Sequence, residues 1–221
     1  MKLSKKKVLL CFVGVGVLGL LALGASALLL PRQYATEQTV ERSFTIDLDF
    51  STVRKILVRT DAAKRIITMT GDSEFVAQNW TALGGGLDLA NLLDPKWRLD
   101  LRGDLTLRTL DDYIGQNEIK LNQELKIDAN QLHSDVVLKV GSKRLLDYAM
   151  TTSFVRDASD GTTHVMQSLK QQVLTDAPWF GHWVADRRVR QSAERSLINQ
   201  EQAIRQVIEV NRKNRWLLLQ P

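Results

Sequence analysis

Residues 39–67 decide the fold, and they read TVERSFTIDLDFSTVRKILVRTDAAKRII. From Val40 to Phe50 the even positions are apolar except for Arg42, and the odd positions are polar. The side chains that share the apolar face are Val40, Phe44, Ile46, Leu48 and Phe50. Because a repeat of two residues places alternate side chains on opposite faces, this part predicts a half-buried strand.

The remainder of the stretch predicts two short helices. Ser51 and Thr52 can cap the first helix with their hydroxyl groups, and the apolar spacing changes there from two residues to about 3.6. Thr60 or Asp61 can cap the second helix, which Gly71 can end. The apolar positions at helical spacing are Val53, Ile56, Leu57, Ile66 and Ile67.

The rest of the chain predicts many strands and then one long helix. A turn at Gly103–Asp104 would join the predicted strands 97–102 and 105–109 into a hairpin. Pro178 suits the first turn of a helix that extends to about Lys213, because its missing N–H is not needed there. Alternation predicts strands at 73–83, 97–102, 105–109, 119–127, 132–140, 146–154 and 162–175.

This order of elements, together with two short motifs, resembles one known superfamily. The motifs are Leu30–Pro31 at the end of an apolar segment and the entry strand Val-Glu-Arg-Ser-Phe-Thr-Ile at 40–46. The element order and both motifs resemble those of the START-like helix-grip (SRPBCC) superfamily of polyketide cyclases and lipid-transfer proteins. The resemblance is in particular to its members with an amino-terminal membrane anchor. The resemblance implies an α+β fold in which a curled antiparallel sheet wraps a long C-terminal helix, with a ligand cavity between them. Residues 63–71 lack the tryptophan-rich segment of many anchored relatives, so the ligand type is not carried over.

An apolar segment precedes the predicted domain. Val8–Leu30 contains 23 residues without a charge, which as a helix would span about 34 Å and cross a hydrocarbon core of about 30 Å. Lysines at positions 2, 5, 6 and 7 precede it, whereas only Arg32 follows closely, so the amino terminus is expected in the cytoplasm and the domain on the extracytoplasmic side. A cleaved signal peptide is the alternative, because Ala25-Ser26-Ala27 is a small-x-small site.

Composition restricts the classes of function. The same four lysines account for most of the net charge of +5, so the folded part carries no excess of basic residues that would indicate nucleic-acid binding. The single cysteine, Cys11, excludes an internal disulfide. The predicted organisation is a basic tail at 1–7, an anchor at 8–30, a tether at 31–38, a START-like domain at 39–215 and an apolar tail at 216–221.

No motif indicates a cofactor or a metal. His133, His164 and His182 lie on different predicted elements without the spacing of metal ligands. The Gly84-Gly85-Gly86 triplet lacks the Gly-Lys-Ser/Thr ending of a phosphate loop, and no nucleophile elbow occurs. We therefore expect neither a cofactor nor a metal site, and no feature identifies a protein partner.

The predicted function is binding of an apolar small molecule or lipid between the sheet and the C-terminal helix. Strand alternation and the apolar stripe of the helix nominate the cavity residues, with three polar groups added: Tyr148, Met150, Thr152, Phe154, Ser168, Arg187, Ala193 and Leu197. Two alternatives stay open. A filled interior would favour a membrane-anchored adaptor, and a convergent set of acidic and histidine side chains would favour a cyclase or hydrolase-like enzyme.

The first prediction concerns the anchor. We expect the mature protein to keep residues 1–30 and to fractionate with membranes, because the apolar segment is long enough to span and its lysines are on one side. Mass spectrometry of the mature terminus and extraction of membranes with high salt check this. A terminus near Leu28, or release by salt alone, would contradict it.

Overall fold

The computed structural model describes residues 32–82, 98–110 and 115–213, and within these ranges one antiparallel sheet packs against three helices. The strands are β1 Arg32–Ile46, β2 Ser73–Ala82, β3 Leu99–Thr109, β4 Glu118–Ile127, β5 Gln131–Val140, β6 Leu145–Arg156 and β7 Thr163–Ala177. The helices are α1 Phe50–Arg59, α2 Ala62–Thr70 and α3 His182–Asn211. A long C-terminal helix gripped by a curled antiparallel sheet is the helix-grip arrangement, and the fold class is α+β.

The first strand lies beside the last one. The strand order is β1-β7-β6-β5-β4-β3-β2, so β1 and β2 occupy opposite edges although they are consecutive in sequence. The helices α1 and α2 connect them, and they therefore cross the concave face of the sheet. The long helix α3 packs on β1 and β7 and also contacts α2.

The expected tether is instead the first half of β1. Arg32–Gln38 pairs with β7 in continuous register, beginning with Arg32 opposite Ala177. Thr36 is buried, and its hydroxyl donates to the carboxylate of Asp186 on α3. This half of the strand cannot be recognised from the sequence, because its inward positions are mostly polar and no apolar alternation marks it.

Helix α1 begins at Phe50, two residues earlier than a cap at Ser51 predicts and three earlier than a cap at Thr52. The carboxylate of Asp49 accepts a hydrogen bond from the Thr52 N–H at 3.0 Å and is the N-cap. Gly71, with φ of 73°, ends α2 in the left-handed conformation that glycine adopts without steric cost, as predicted.

The predicted hairpin at Gly103–Asp104 is wrong, because β3 continues through both residues. Position 103 requires a glycine because the neighbouring strand β2 approaches it closely. A Cβ atom at this position would lie 2.4 Å from the carbonyl oxygen of Asn79 and 2.8 Å from the Trp80 ring. The glycine therefore permits strand pairing, not a turn.

A register shift in β6 changes which leucine faces the interior. The pairing with β7 is irregular between Leu145 and Asp147, and Leu145 is 1% exposed whereas Leu146 is 45% exposed. Uninterrupted alternation along the predicted strand 146–154 would put Leu146 on the same inner face as Tyr148, because the residue pattern cannot reveal a bulge.

Helix α3 buries one stripe of small and aliphatic side chains against the sheet. A short 3-10 turn, Trp179–Gly181, precedes it, so the regular helix begins four residues after Pro178. The buried stripe comprises Ala185, Val189, Ala193, Leu197, Ala203, Ile204, Val207 and Ile208. It closes the core over the β1 and β7 half of the sheet.

Several predicted segments lie outside the described residues: the anchor at 8–30, the glycine triplet at 84–86 and the apolar tail at 216–221. Among the residues that the structure describes, no helix combines the length and apolar composition needed to cross a membrane.

The second prediction concerns the packing of α3. Ala193 is buried against Val40, Leu169 and Leu197, so Ala193→Phe should lower the free energy of unfolding by about 1–3 kcal/mol through overpacking. Chemical denaturation measures the change. Gln191→Phe, at an exposed position of the same helix, is the matched control and should change stability by no more than about 0.5 kcal/mol. Equal effects of the two substitutions would show that the site around Ala193 is not closely packed.

Candidate functional site

A cavity of about 580 Å³ lies between the concave face of the sheet and the two short helices. Its walls come from β2 to β6, its cover from α1 and α2, and Gln200 and Ile204 reach it from α3. Most of the lining is aliphatic or aromatic, and the buried part includes Leu105, Leu107, Leu121, Ile127, Leu132 and Phe154. The interior under the short helices is therefore open space lined by apolar side chains.

A band of uncharged polar side chains crosses this apolar lining. It consists of Gln78, Gln123, Ser134, Thr152 and Gln200. The Gln78 amide donates to Gln123 Oε1 at 2.8 Å, and the Gln123 amide donates to Ser134 Oγ at 3.4 Å. Thr152 is 7% exposed, and its hydroxyl has no hydrogen-bond partner among the residues that the structure describes.

The strand register aligns this polar band. Ser134 on β5 is directly opposite Thr152 on β6, and Thr152 is directly opposite Gln167 on β7. Gln167 is 2% exposed; its amide donates to Gln200 Oε1 at 2.8 Å, while its own Oε1 is buried without a hydrogen-bond partner in the described part of the chain. Neutral amides and hydroxyls thus continue from the cavity to the interface with α3.

Tyr148 adds a phenol to the cavity wall. Its hydroxyl donates to the thioether sulfur of Met150 at 3.4 Å, and both side chains line the cavity. Burial raises the pKa of Tyr148 to about 12, and the negative charge of Asp72 contributes in the same direction. The phenol therefore stays a neutral hydrogen-bond donor at physiological pH.

Among the described lining residues, charge is confined to the junction between α1 and α2. Of the described lining residues, Arg59 and Asp61 are the charged ones, and Asp61 is exposed. Val58 and Trp80 are also exposed lining residues, so these four mark the mouth of the cavity. Behind the mouth, the described lining is uncharged.

Four of the eight nominated residues line the cavity. These are Tyr148, Met150, Thr152 and Phe154, all on the inner face of β6. Ala193 and Leu197 are buried, but they pack against Val40 and Leu169 on the closed half of the sheet and are not among the lining residues.

The two remaining polar nominees lie elsewhere. The inward residues of β7 are the odd-numbered ones, so Ser168 is on the outer face of the sheet. Arg187 is exposed on α3. A sequence shows which residues of a strand share a face, but which of the two faces points inward depends on the neighbouring strands.

The polar band was missed, although one signal for it exists in the sequence. On β4 the inner positions are Ile119, Leu121, Gln123, Leu125 and Ile127. A glutamine in the middle of an otherwise apolar face is unexpected for packing alone, and it marks the centre of the band. Gln200 has no comparable signal, because its neighbours Asn199, Glu201 and Gln202 are polar, and Gln78 lies in a strand without a regular apolar face.

A hydrogen-bonded network occupies the opposite, outer face of β5 and β6. His133 Nδ1 lies 2.6 Å from Ser153 Oγ, and His133 Nε2 lies 2.9 Å from a carboxylate oxygen of Asp135. Serine, histidine and carboxylate form hydrolase triads in such an order. Here β6 pairs on both sides, so the backbone N–H groups beside Ser153 are used within the described sheet and none remains to stabilise an oxyanion. The network cross-links two strands.

No family model matches the sequence, and no curated protein matches it. Solved structures do resemble the fold. A protein of unknown function from Staphylococcus aureus gives a TM-score of 0.54 at 10% identity, over 81% of this chain and 98% of that one. An aromatase/cyclase from Streptomyces gives 0.46 at 13% identity over 80% and 96%, and a START superfamily protein from Mycobacterium smegmatis gives 0.45 at 14% over 77% and 97%. At these identities the likeness concerns the fold alone.

Proposed function

We propose that this protein binds an apolar small molecule or lipid that is uncharged where it is buried, and that the segment 8–30 holds the domain at the extracytoplasmic side of a membrane. It would then be a START-like helix-grip protein that binds its ligand without transforming it. The observation that carries the proposal is the cavity of about 580 Å³ with its band of neutral polar groups.

The size and lining of the cavity fit a ligand site. Pockets for small molecules usually measure about 300–1,000 Å³ and combine apolar walls with a few polar groups that fix orientation. Here the walls are leucine, isoleucine and phenylalanine, and the polar groups are amides and hydroxyls. A membrane adaptor with a filled interior would have no need of this space.

The absence of buried charge among the described lining residues indicates a neutral ligand. An ionised carboxylate is costly to bury without a positively charged partner. Among the described lining residues the basic one is Arg59, which lies at the mouth. The same lining offers little for acid–base catalysis, since Asp61 is its only acidic residue within the described ranges and is exposed. Binding is therefore favoured over a cyclase or hydrolase reaction.

The third prediction tests occupancy of the cavity. Ala63 lines it from α2, so Ala63→Phe should place a ring in the space and weaken binding of the neutral fluorescent probe N-phenyl-1-naphthylamine by at least about ten-fold, equivalent to about 1.4 kcal/mol. Arg65→Phe, at an exposed position of the same helix outside the lining, is the matched control and should bind the probe normally. If the parent protein does not bind the probe, or if both variants bind it equally well, the cavity is not a ligand site.

The fourth prediction tests the neutral character of the ligand. In displacement of the same probe, oleamide should compete at about ten-fold lower concentration than oleate, because only the carboxylate must lose its charge or remain at the mouth. Thr152→Val keeps the shape of the side chain but removes the hydroxyl. It should weaken oleamide binding about five-fold, since one hydrogen bond contributes about 1 kcal/mol, with little effect on the probe.

Equal competition by oleate and oleamide would contradict the neutral-ligand part of the proposal while leaving cavity binding intact. Comparable weakening of the probe and of oleamide in Thr152→Val would instead indicate a general loss of cavity shape.

A further inference from the structure

Three exposed aromatic side chains form a patch at the start of α3. Trp179 is 57% exposed, Phe180 is 46% exposed and Trp183 is 65% exposed. The rings of Trp179 and Phe180 pack edge to face with their centroids 6.0 Å apart. We call these three residues the aromatic patch. Its members are large and apolar, and they are adjacent rather than scattered, which is the kind of exposure that marks an interaction surface.

The chain enters the domain directly beside this patch. Arg32, the first described residue, is paired with Ala177, which is two residues before Trp179. Since β1 begins at Arg32, only Pro31 separates the folded domain from the apolar segment that ends at Leu30. An anchor in the bilayer would therefore hold the aromatic patch close to the membrane surface.

Contacts between β1 and α3 fix the patch relative to the entry point. The Tyr34 ring stacks on the His182 ring with centroids 3.7 Å apart and planes 5° apart. The Tyr34 hydroxyl donates to the Asp186 carboxylate at 3.1 and 3.2 Å, and the Thr36 hydroxyl donates to the same group. The helix that carries Trp183 is thus joined to the strand that leads to the anchor.

Positive charge adjoins the aromatic side chains. Arg187 is exposed one helical turn after Trp183, and Arg32 is exposed at the start of β1. Neither residue forms an ion pair with any other residue in the described ranges. Aromatic rings next to cations are typical of the boundary between hydrocarbon and lipid headgroups, where indoles are enriched and arginine meets phosphate.

We propose that the aromatic patch lies in the headgroup region of the bilayer that residues 8–30 cross, with Arg32 and Arg187 directed to lipid phosphates. The partner is a lipid surface, and its identity rests on the proposed anchor. The domain then sits on the membrane with its first strand at the surface, and it does not move at the end of a flexible tether.

Two tryptophan-reduced forms of the full chain test this proposal in phospholipid vesicles. The first keeps Trp179 and Trp183 by means of Trp80→Phe, Trp97→Phe and Trp216→Phe. The second keeps only Trp80, at the cavity mouth, by means of Trp97→Phe, Trp179→Phe, Trp183→Phe and Trp216→Phe. Each form is reconstituted in phosphatidylcholine with some phosphatidylglycerol, with and without lipids brominated near the headgroup. Flotation of the vesicles reports whether the protein is in the membrane.

We expect both forms to float with the vesicles, and brominated lipid to reduce the emission of the first form at least about two-fold while leaving the second nearly unchanged, because only interfacial indoles contact the lipid. Flotation without quenching of the first form would keep the anchor and overturn the docking surface. Failure of both forms to float would overturn the anchor and, with it, the docking surface. Equal quenching of the two forms would overturn the assignment to this patch.

Discussion

The pairing of the first strand with the last determines the layout of the molecule. Because β1 lies beside β7, the chain must travel from one edge of the sheet to the other before β2 can begin. The helices α1 and α2 make this crossing over the concave face, and α3 lies mainly over the half of the sheet that contains β1 and β7. Two short helices do not fill the curve of the sheet beneath them. The cavity is therefore a consequence of topology: its residues come from β2 to β6 and the two short helices, and of the buried stripe of α3 only Ile204 is among the described lining residues.

The chemistry inside the cavity is difficult to explain by stability alone. A buried amide or hydroxyl costs about 1–3 kcal/mol when it lacks a partner and contributes about 0.5–1.5 kcal/mol when it has one. Gln78 and Gln123 satisfy each other in part, but the Thr152 hydroxyl and the Gln167 carbonyl oxygen have no partner among the described residues. Apolar side chains at these positions would fold at lower cost. A ligand with its own neutral polar group supplies a reason to keep them.

Alternation predicted the sheet well and the site only in part. The strands β4 to β7 follow the residue pattern closely, because each has one buried face. The errors occur where a pattern has two physical causes. Gly103 signals a turn or a close strand, and polar residues at 32–38 signal a tether or a strand that packs on polar partners such as Asp186. Within the site, the four cavity-lining residues of β6 were predicted because they alternate along one strand and are bulky or branched. Gln200 and the short helices depend on how distant elements meet, which no local pattern contains.

The partnership of β1 and β7 also sets an order of events during synthesis. Arg32–Ile46 leaves the ribosome early, but its partners at Thr163–Ala177 follow more than a hundred residues later. At translation rates of about 5–20 residues per second, the first strand waits for several seconds with an unpaired edge. Its inward positions between Arg32 and Gln38 are largely polar, and this half of the strand offers little apolar surface to a wrong partner during that interval. The composition that conceals the strand in the sequence thus protects the nascent chain until the last strand arrives.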